Sequence, residues 1–226
     1  MNESAERQQT SWIANASAWT TAVREGQIAS RKRGTDAAII AACVARPARR
    51  VLDVGCGEGW LARALAAQGA DVVGVDASAP LIAAATAAGG ATFAVVDYHT
   101  LATSHDVQPG PFDLIVCNFA LLDEDVTPLL SGLRARLAEQ GRLVVQTVHP
   151  FIAAGDEGYV DGWREERFAG FGEGFVAAMP WYFRTIGSWH ASFAAAGLAV
   201  ERVEEPRSAD GHVLSLIVEL RVGVAC

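Results

Sequence analysis

The sequence predicts an α/β fold, a doubly wound sheet of seven strands in which the last strand runs against the others. Apolar runs of strand length alternate with helical segments from residue 50 to residue 148, the pattern of a parallel sheet covered by helices on both faces. Three glycines, Gly55, Gly57 and Gly59, crowd the junction between the first run and the first helix of that series. The last two runs, "LAVERVEE" and "HVLSLIVEL", are joined by a segment rich in turn residues and too short for a crossover, so that pair must be antiparallel.

Each element has its own signal. Residues 12 to 46 read as helix, with Trp12, Trp19, Val23, Ala37, Ile39, Ile40 and Cys43 as apolar positions and breaks near Gly26 and Gly34; Pro47 ends the second part. "RVLDV" is the first strand, and "GWLARALAAQG" is a helix with Leu61, Leu65 and Ala66 on one face and Gly69 as its stop. "DVVGV" is the second strand, followed by the helix "APLIAAATAAG" with Pro80 in its first turn. "TFAVV" and "FDLIVCN" are the third and fourth strands. "DEDVTPLLSGLRARLAEQG" predicts a helix over 123–141, whose acidic start and glycine end suit the macrodipole and the cap. "RLVVQTV" is the fifth strand, and "SWHASFAAAG" is a helix ahead of the closing pair.

Residues 150 to 187 break this rhythm. They hold half of the chain's aromatic residues, interleaved with six glycines between Gly155 and Gly174. A long segment of this kind in a compact domain is functional or disordered, and disordered segments are poor in aromatics, so an ordered lid or pocket wall is expected. The organisation expected is a single domain: an N-terminal helical cover (1–47), a ligand-binding core (48–149), the aromatic insertion (150–187) and a C-terminal helix with its strand pair (188–226).

Composition narrows the classes. At 226 residues the chain fits one domain with a full core. Cys43, Cys56, Cys117 and Cys226 are widely spaced and match neither a disulfide framework nor a C-x-x-C metal pattern, so no metal site and a reducing compartment are expected. The polar N-terminus does not read as a secretory or transit peptide, and no apolar stretch reaches the roughly 18 residues of a membrane span. The net charge of −8 opposes binding to a phosphate backbone; the short basic clusters at residues 31–33 and 46–50 read as solvated surface. A cytoplasmic protein with no nucleic-acid or membrane partner is expected.

The glycine loop calls for a ligand. A strand–loop–helix unit of this kind brings a helix N-terminus and free backbone N–H groups against a bound group, and glycine lets the backbone approach because it carries no Cβ. A P-loop would need Gly-Lys-Ser/Thr after the loop, and none is present. A dinucleotide fold would need its third glycine at position 60, where this chain has Trp.

In "VLDVGCGEG" followed by "VVGVDAS", the chain resembles the class I S-adenosylmethionine-dependent methyltransferases over about residues 10 to 220. The resemblance implies a Rossmann-like sheet in the order 3-2-1-4-5-7-6, with S-adenosyl-L-methionine across the carboxyl ends of the first strands. It implies that Gly55, Cys56 and Gly57 press their backbone against the methionine and ribose part, and that Asp53 reaches the cationic amino group. Asp76, with Ala77 beside it, would accept the ribose hydroxyls; Asp97 would face the adenine amino group and Tyr98 would offer a backbone N–H to the ring. Asn118 completes the cofactor set. "NASAWTTAVREGQIASRKRGTDAAI", "CNFALL", "DGWREERFAGF" and "MPWYFRTIGSW" resemble a bacterial subgroup acting on small molecules. There the N-terminal segment folds over the cofactor, and Arg31 rather than Arg33 would take its carboxylate.

The sulfonium of the cofactor is already a strong electrophile, so the protein mainly aligns an acceptor with the methyl group. A base is needed only where the acceptor loses a proton near the transition state. His149, closing the fifth strand, is the candidate for that base or for orienting the acceptor. Tyr182 and Trp163 offer π faces to an aromatic or cationic acceptor. "CNFALL" lacks the two prolines of the adenine-N6 and glutamine methyltransferase signature, against those acceptors. Cys56 reads as a small loop residue and not a nucleophile. Two other functions are weighed beside methyl transfer to a small molecule: a non-catalytic module that binds the cofactor or a partner through the aromatic insertion, and an NAD(P)-linked oxidoreductase, which Trp60 opposes. No motif names the acceptor; a peptide N-terminus, a phenol, a quinone precursor and an amine all fit, and no motif speaks to oligomeric state.

Overall fold

The computed structural model describes residues 3–223; Cys226, one of the four cysteines, lies outside them. The chain opens with α1 (Glu3–Ala14), α2 (Ala16–Arg24) and α3 (Asp36–Val44), the last entered through a π-helical turn at Arg31–Thr35. It then alternates β1 (Arg50–Val54), α4 (Trp60–Ala66), β2 (Asp71–Asp76), α5 (Ala79–Ala88), β3 (Thr92–Val95), α6 (Tyr98–Thr103), β4 (Phe112–Asn118), α7 (Thr127–Arg134) and β5 (Leu137–Thr147). After the short α8 (Pro150–Ala153), β6 (Gly162–Glu166) and β7 (Met179–Phe183) form a separate antiparallel hairpin. α9 (Ile186–Ala195), β8 (Leu198–Glu204) and β9 (Leu216–Val222) complete the chain.

The main sheet has the order β3-β2-β1-β4-β5-β9-β8. Counting only its own strands, this is 3-2-1-4-5-7-6, as expected. Strands β1 to β5 pair in parallel, while β9 is antiparallel to both β5 and β8. Successive side chains in a strand point to opposite faces, and both faces are packed. Leu52, Val54, Ile115, Cys117, Leu143 and Val145 meet Leu101 of α6, Leu130 of α7 and Trp189 of α9. Val51, Leu114, Val116 and Val144 meet Ile39 of α3 and Leu61 of α4. This is why the strands read as unbroken apolar runs instead of alternating ones.

Three local readings need correction. The helix expected over 123–141 spans only Thr127–Arg134, and residues from Leu137 onward already belong to β5. The Arg136 carbonyl accepts the Phe112 N–H (2.9 Å) and the buried Arg136 side chain donates to the carbonyls of Ser104 and Gly132, so the chain is taken by the sheet before the helical pattern ends. Gly141 is not a helix stop. It lies in an irregular stretch of the β4–β5 pairing, where a Cβ would stand 2.6 Å from the Phe112 carbonyl oxygen. The N-terminal helices begin earlier than expected and break at Asn15 as well as near Gly26 and Gly34. The final strand begins at Leu216 instead of His212.

Candidate functional site

The site grows from the turn after β1. Both Gly55 and Cys56 donate their N–H groups to the Val75 carbonyl (2.8 and 3.0 Å), which pins the loop to the end of β2. Gly55 has φ +70°, and a Cβ there would fall 2.5 Å from Ala120 Cβ and 2.7 Å from Tyr98 Oη. Glycine is required on both counts. Gly59 caps α4 in the left-handed conformation, with the Phe93 ring 2.6 Å from where a Cβ would stand.

The carboxylates gather at this turn. Asp53 is buried, with Oδ2 lacking any hydrogen-bond partner. Burial first, then the charge of the neighbouring Asp76, pushes its pKa up to about 7. Asp76 ends β2 and accepts from the Gly57 N–H through Oδ2 (2.9 Å) and from the Ser78 N–H through Oδ1 (2.8 Å). Burial raises its pKa as well, and those two N–H groups oppose the rise. Each oxygen keeps a further lone pair for a ligand.

A cavity of about 250 Å³ opens over this turn at the carboxyl ends of the strands, close to the lower bound of small-molecule sites. Asp53, Gly55, Cys56, Gly57, Asp76 and Tyr98 line it from the sheet, with Asn118, which ends β4 and leaves Oδ1 buried and unpartnered. Arg31 reaches it from the N-terminal segment. Its Nε bonds Asp36 Oδ2 at 3.0 Å and its guanidinium lies 4.3 Å from the Trp60 ring centre. Arg33 is half-exposed beside Asp210. Tyr182 lines the cavity from the insertion, where its ring meets Trp163 edge-on at 5.5 Å. The Tyr182 N–H donates to the Leu122 carbonyl (2.8 Å), tying the hairpin to the segment after β4.

Other expected site residues lie elsewhere. Asp97 is the N-cap of α6, its Oδ1 accepting from the Thr100 N–H at 2.7 Å. With Ala77 and Gln9 it lines a second hollow, while the sequence neighbours Asp76 and Tyr98 line the first. Tyr98 donates its hydroxyl to the Ala120 carbonyl (2.9 Å). His149 is buried and is not part of the cavity lining: its Nε2 stands 3.0 Å from Glu205 Oε1 and its Nδ1 has no partner. The Cys56 thiol is raised far above its ordinary range, by burial first and then by the charges of Asp53 and Asp76; it stays protonated and is no nucleophile.

Several residues were missed. Glu58, fully buried, accepts from Arg63 and from Arg24 Nε (2.8 Å), so the glycine loop is ion-paired to α2. Asn15 bonds the backbone of Val176 and Ala177, clamping the N-terminal helices to the insertion. Trp12, Trp19, Phe168 and Phe171 join the same seam through ring contacts. The clustered aromatics signalled this seam, but no spacing in the sequence paired them. Arg184, just beyond β7, also faces the cavity and is buried.

The family follows from comparison with known proteins. A model described as "Methyltransferase domain" matches residues 27–203. The chain belongs to this family. It is 39% identical over 109 residues to the ubiquinone biosynthesis O-methyltransferase of Xylella fastidiosa (strain 9a5c), covering 46% of this chain and 44% of that one. The chain spans less than half the length of such curated relatives. A solved S-adenosylmethionine-dependent methyltransferase from Mesorhizobium loti is 28% identical with TM-score 0.63, over 80% of this chain and 95% of that one. The magnesium protoporphyrin IX methyltransferase of Synechocystis PCC 6803, solved with bound SAH, matches at TM-score 0.66 and 19% identity over 94% and 96% of the two chains. That likeness is one of fold.

Proposed function

We propose that this chain is an enzyme that transfers a methyl group from S-adenosyl-L-methionine to a small-molecule acceptor by in-line displacement. The observation that carries the reading is the unpartnered, buried carboxylate oxygen of Asp53 behind a glycine turn that admits no Cβ. A cationic amino group is what such an oxygen lacks, since a buried charge is tolerated when it is paired. The residues therefore fit the cofactor. Gly55, Cys56 and Gly57 would hold its amino-acid and ribose part by backbone contact, Asp76 would take the ribose hydroxyls, and Arg31, with its terminal nitrogens free of Asp36, would take the carboxylate. Asn118 would receive a donor from the ligand through Oδ1. Asp97 and Ala77 from the second hollow, with the Tyr98 backbone, would serve the adenine.

When bound, the cofactor supplies an electrophilic methyl group. The chain's own work is to hold the acceptor in line and keep water out. The cover (1–47) and insertion (150–187) close over the core (48–149), while the C-terminal part (188–226) completes the sheet. Tyr182, which lines the cavity, is the better placed of the two catalytic candidates; His149 would need to leave Glu205 to take part. The test is calorimetric titration with S-adenosylmethionine, S-adenosylhomocysteine and NAD(P), with Asp76→Ala checked for folding by circular dichroism. Micromolar binding of the first two, lost in the variant, is expected. Binding of the nicotinamide alone, or of none of the three, refutes the reading.

A further inference from the structure

Arg184 follows β7 directly and is 3% exposed, yet it lines the cavity. Its Nη2 donates to the Asp123 carbonyl, while Nη1 is buried without a partner. Among the described residues no carboxylate stands within ion-pair distance of it. Asp161, Asp123 and Asp125 act on it only across a distance, none of them in contact with the guanidinium. Asp161 is engaged by the Thr185 N–H and the Ser188 hydroxyl, and burial raises the Asp123 carboxyl while the Arg184 charge opposes the rise. What surrounds the guanidinium is aromatic: the Tyr182 ring centre at 5.1 Å and that of Trp189 at 4.9 Å, with Trp181 also on the cavity wall.

A guanidinium taken out of water without a carboxylate in contact is costly, and stacking on rings offsets only part of that cost. Arginine presents a planar fork that matches a carboxylate through two parallel bonds. The free nitrogen is therefore half of a binding site. Glu166, the insertion's own acid on the cavity wall, does not fill it. Glu166 pairs with Met179 at the far end of the hairpin, five residues from Arg184, or roughly 17 Å at the rise of an extended strand.

We infer that the methyl acceptor is a flat aromatic molecule bearing a carboxylate, with the carboxylate seated on Arg184 and the ring against Tyr182. This rests on the reading of the cavity as the methyl-transfer site. It narrows the acceptor to one charge and one shape, and assigns Arg184 a specificity role.

The test compares 2-naphthoate with 2-naphthamide, alike in shape but one anionic and the other neutral, by calorimetry on the intact protein with and without S-adenosylhomocysteine. Wild-type protein is expected to bind the acid at least tenfold more tightly than the amide. Arg184→Met is expected to erase that preference while holding S-adenosylhomocysteine within about twofold of wild type. Equal binding of acid and amide by the unmodified protein, absence of binding by both included, overturns the inference without any variant. So does an acid preference that survives in Arg184→Met. A failure of the cofactor reading looks different: S-adenosylhomocysteine gives no heat while the Arg184-dependent preference for the acid persists.

Discussion

Cofactor binding should depend on pH through Asp53, with a size and direction fixed by its surroundings. Its pKa is raised from 3.8 to about 7, by burial first and then by the Asp76 charge. In the free protein at pH 6 only about a tenth of Asp53 is then ionised. A cationic amino group placed on it favours the carboxylate, so binding below pH 7 expels a proton. Affinity for S-adenosylhomocysteine should fall about tenfold per unit as pH drops below 7, roughly 1.4 kcal/mol each. Above about pH 8 the ligand's own amino group loses its proton, so binding should be tightest between about 7 and 8. Asp53→Asn should flatten the acid limb. The same shift has a stability consequence without ligand. The folded state holds the Asp53 proton more tightly than the unfolded state, so this group's contribution is full below about pH 4 and is lost as pH rises through about 7. The loss amounts to about 4 kcal/mol, and Asp53→Asn should be the more stable protein at pH 8 but not at pH 4. Calorimetry in two buffers of different ionisation enthalpy counts the proton released, and urea melts read the stability. A flat affinity from pH 5.5 to 7.5 with no proton release would refute the role given to Asp53.

Other perturbations test the frame around that carboxylate. Gly55→Ala should cost about 2 kcal/mol from overpacking and positive-φ strain and weaken S-adenosylhomocysteine binding, read by urea melts and titration; a neutral result would mean that the turn yields to a methyl group. Glu58→Ala strips Arg63 and Arg24 of their buried partner, and should cost about 3 kcal/mol while raising hydrogen exchange in α2; unchanged exchange would show that the ion pair does not hold the cover down. Cys56, buried and held protonated, should resist iodoacetamide in the folded protein and react only after denaturation, as mass spectrometry would report.

The core of the fold was legible because its signals are local. A buried parallel strand needs apolar residues on both faces, so "RVLDV" and "FDLIVCN" mark β1 and β4 with no knowledge of their neighbours. The error at residues 137–141 has the opposite origin. "LRARLAEQG" has good helix formers throughout, and helix propensity is a weak prior that tertiary context overrides. Here the overriding contacts are the Arg136 side chain on the α6–β4 loop and the Phe112 N–H on the Arg136 carbonyl, groups distant in sequence that no window could join.

The site divides along the same line. The meeting of Asp53, Gly55, Gly57 and Asp76 at one turn was legible because the ends of β1 and β2 are marked by local signals and lie side by side in the sheet. Arg184 was not. Its meaning lies in what is missing around it: a carboxylate in direct contact, within a ring of aromatics from β7 and α9. His149 shows the converse. Its position just past the end of β5 is the sheet edge expected for a base, yet a strand end allows the side chain either of two directions, and this one is engaged by Glu205. A helix or strand boundary therefore locates the backbone of a functional residue. Only long-range partners decide whether its side chain reaches the ligand: Glu205 for His149, and the Asp123 carbonyl and the Trp189 ring for Arg184.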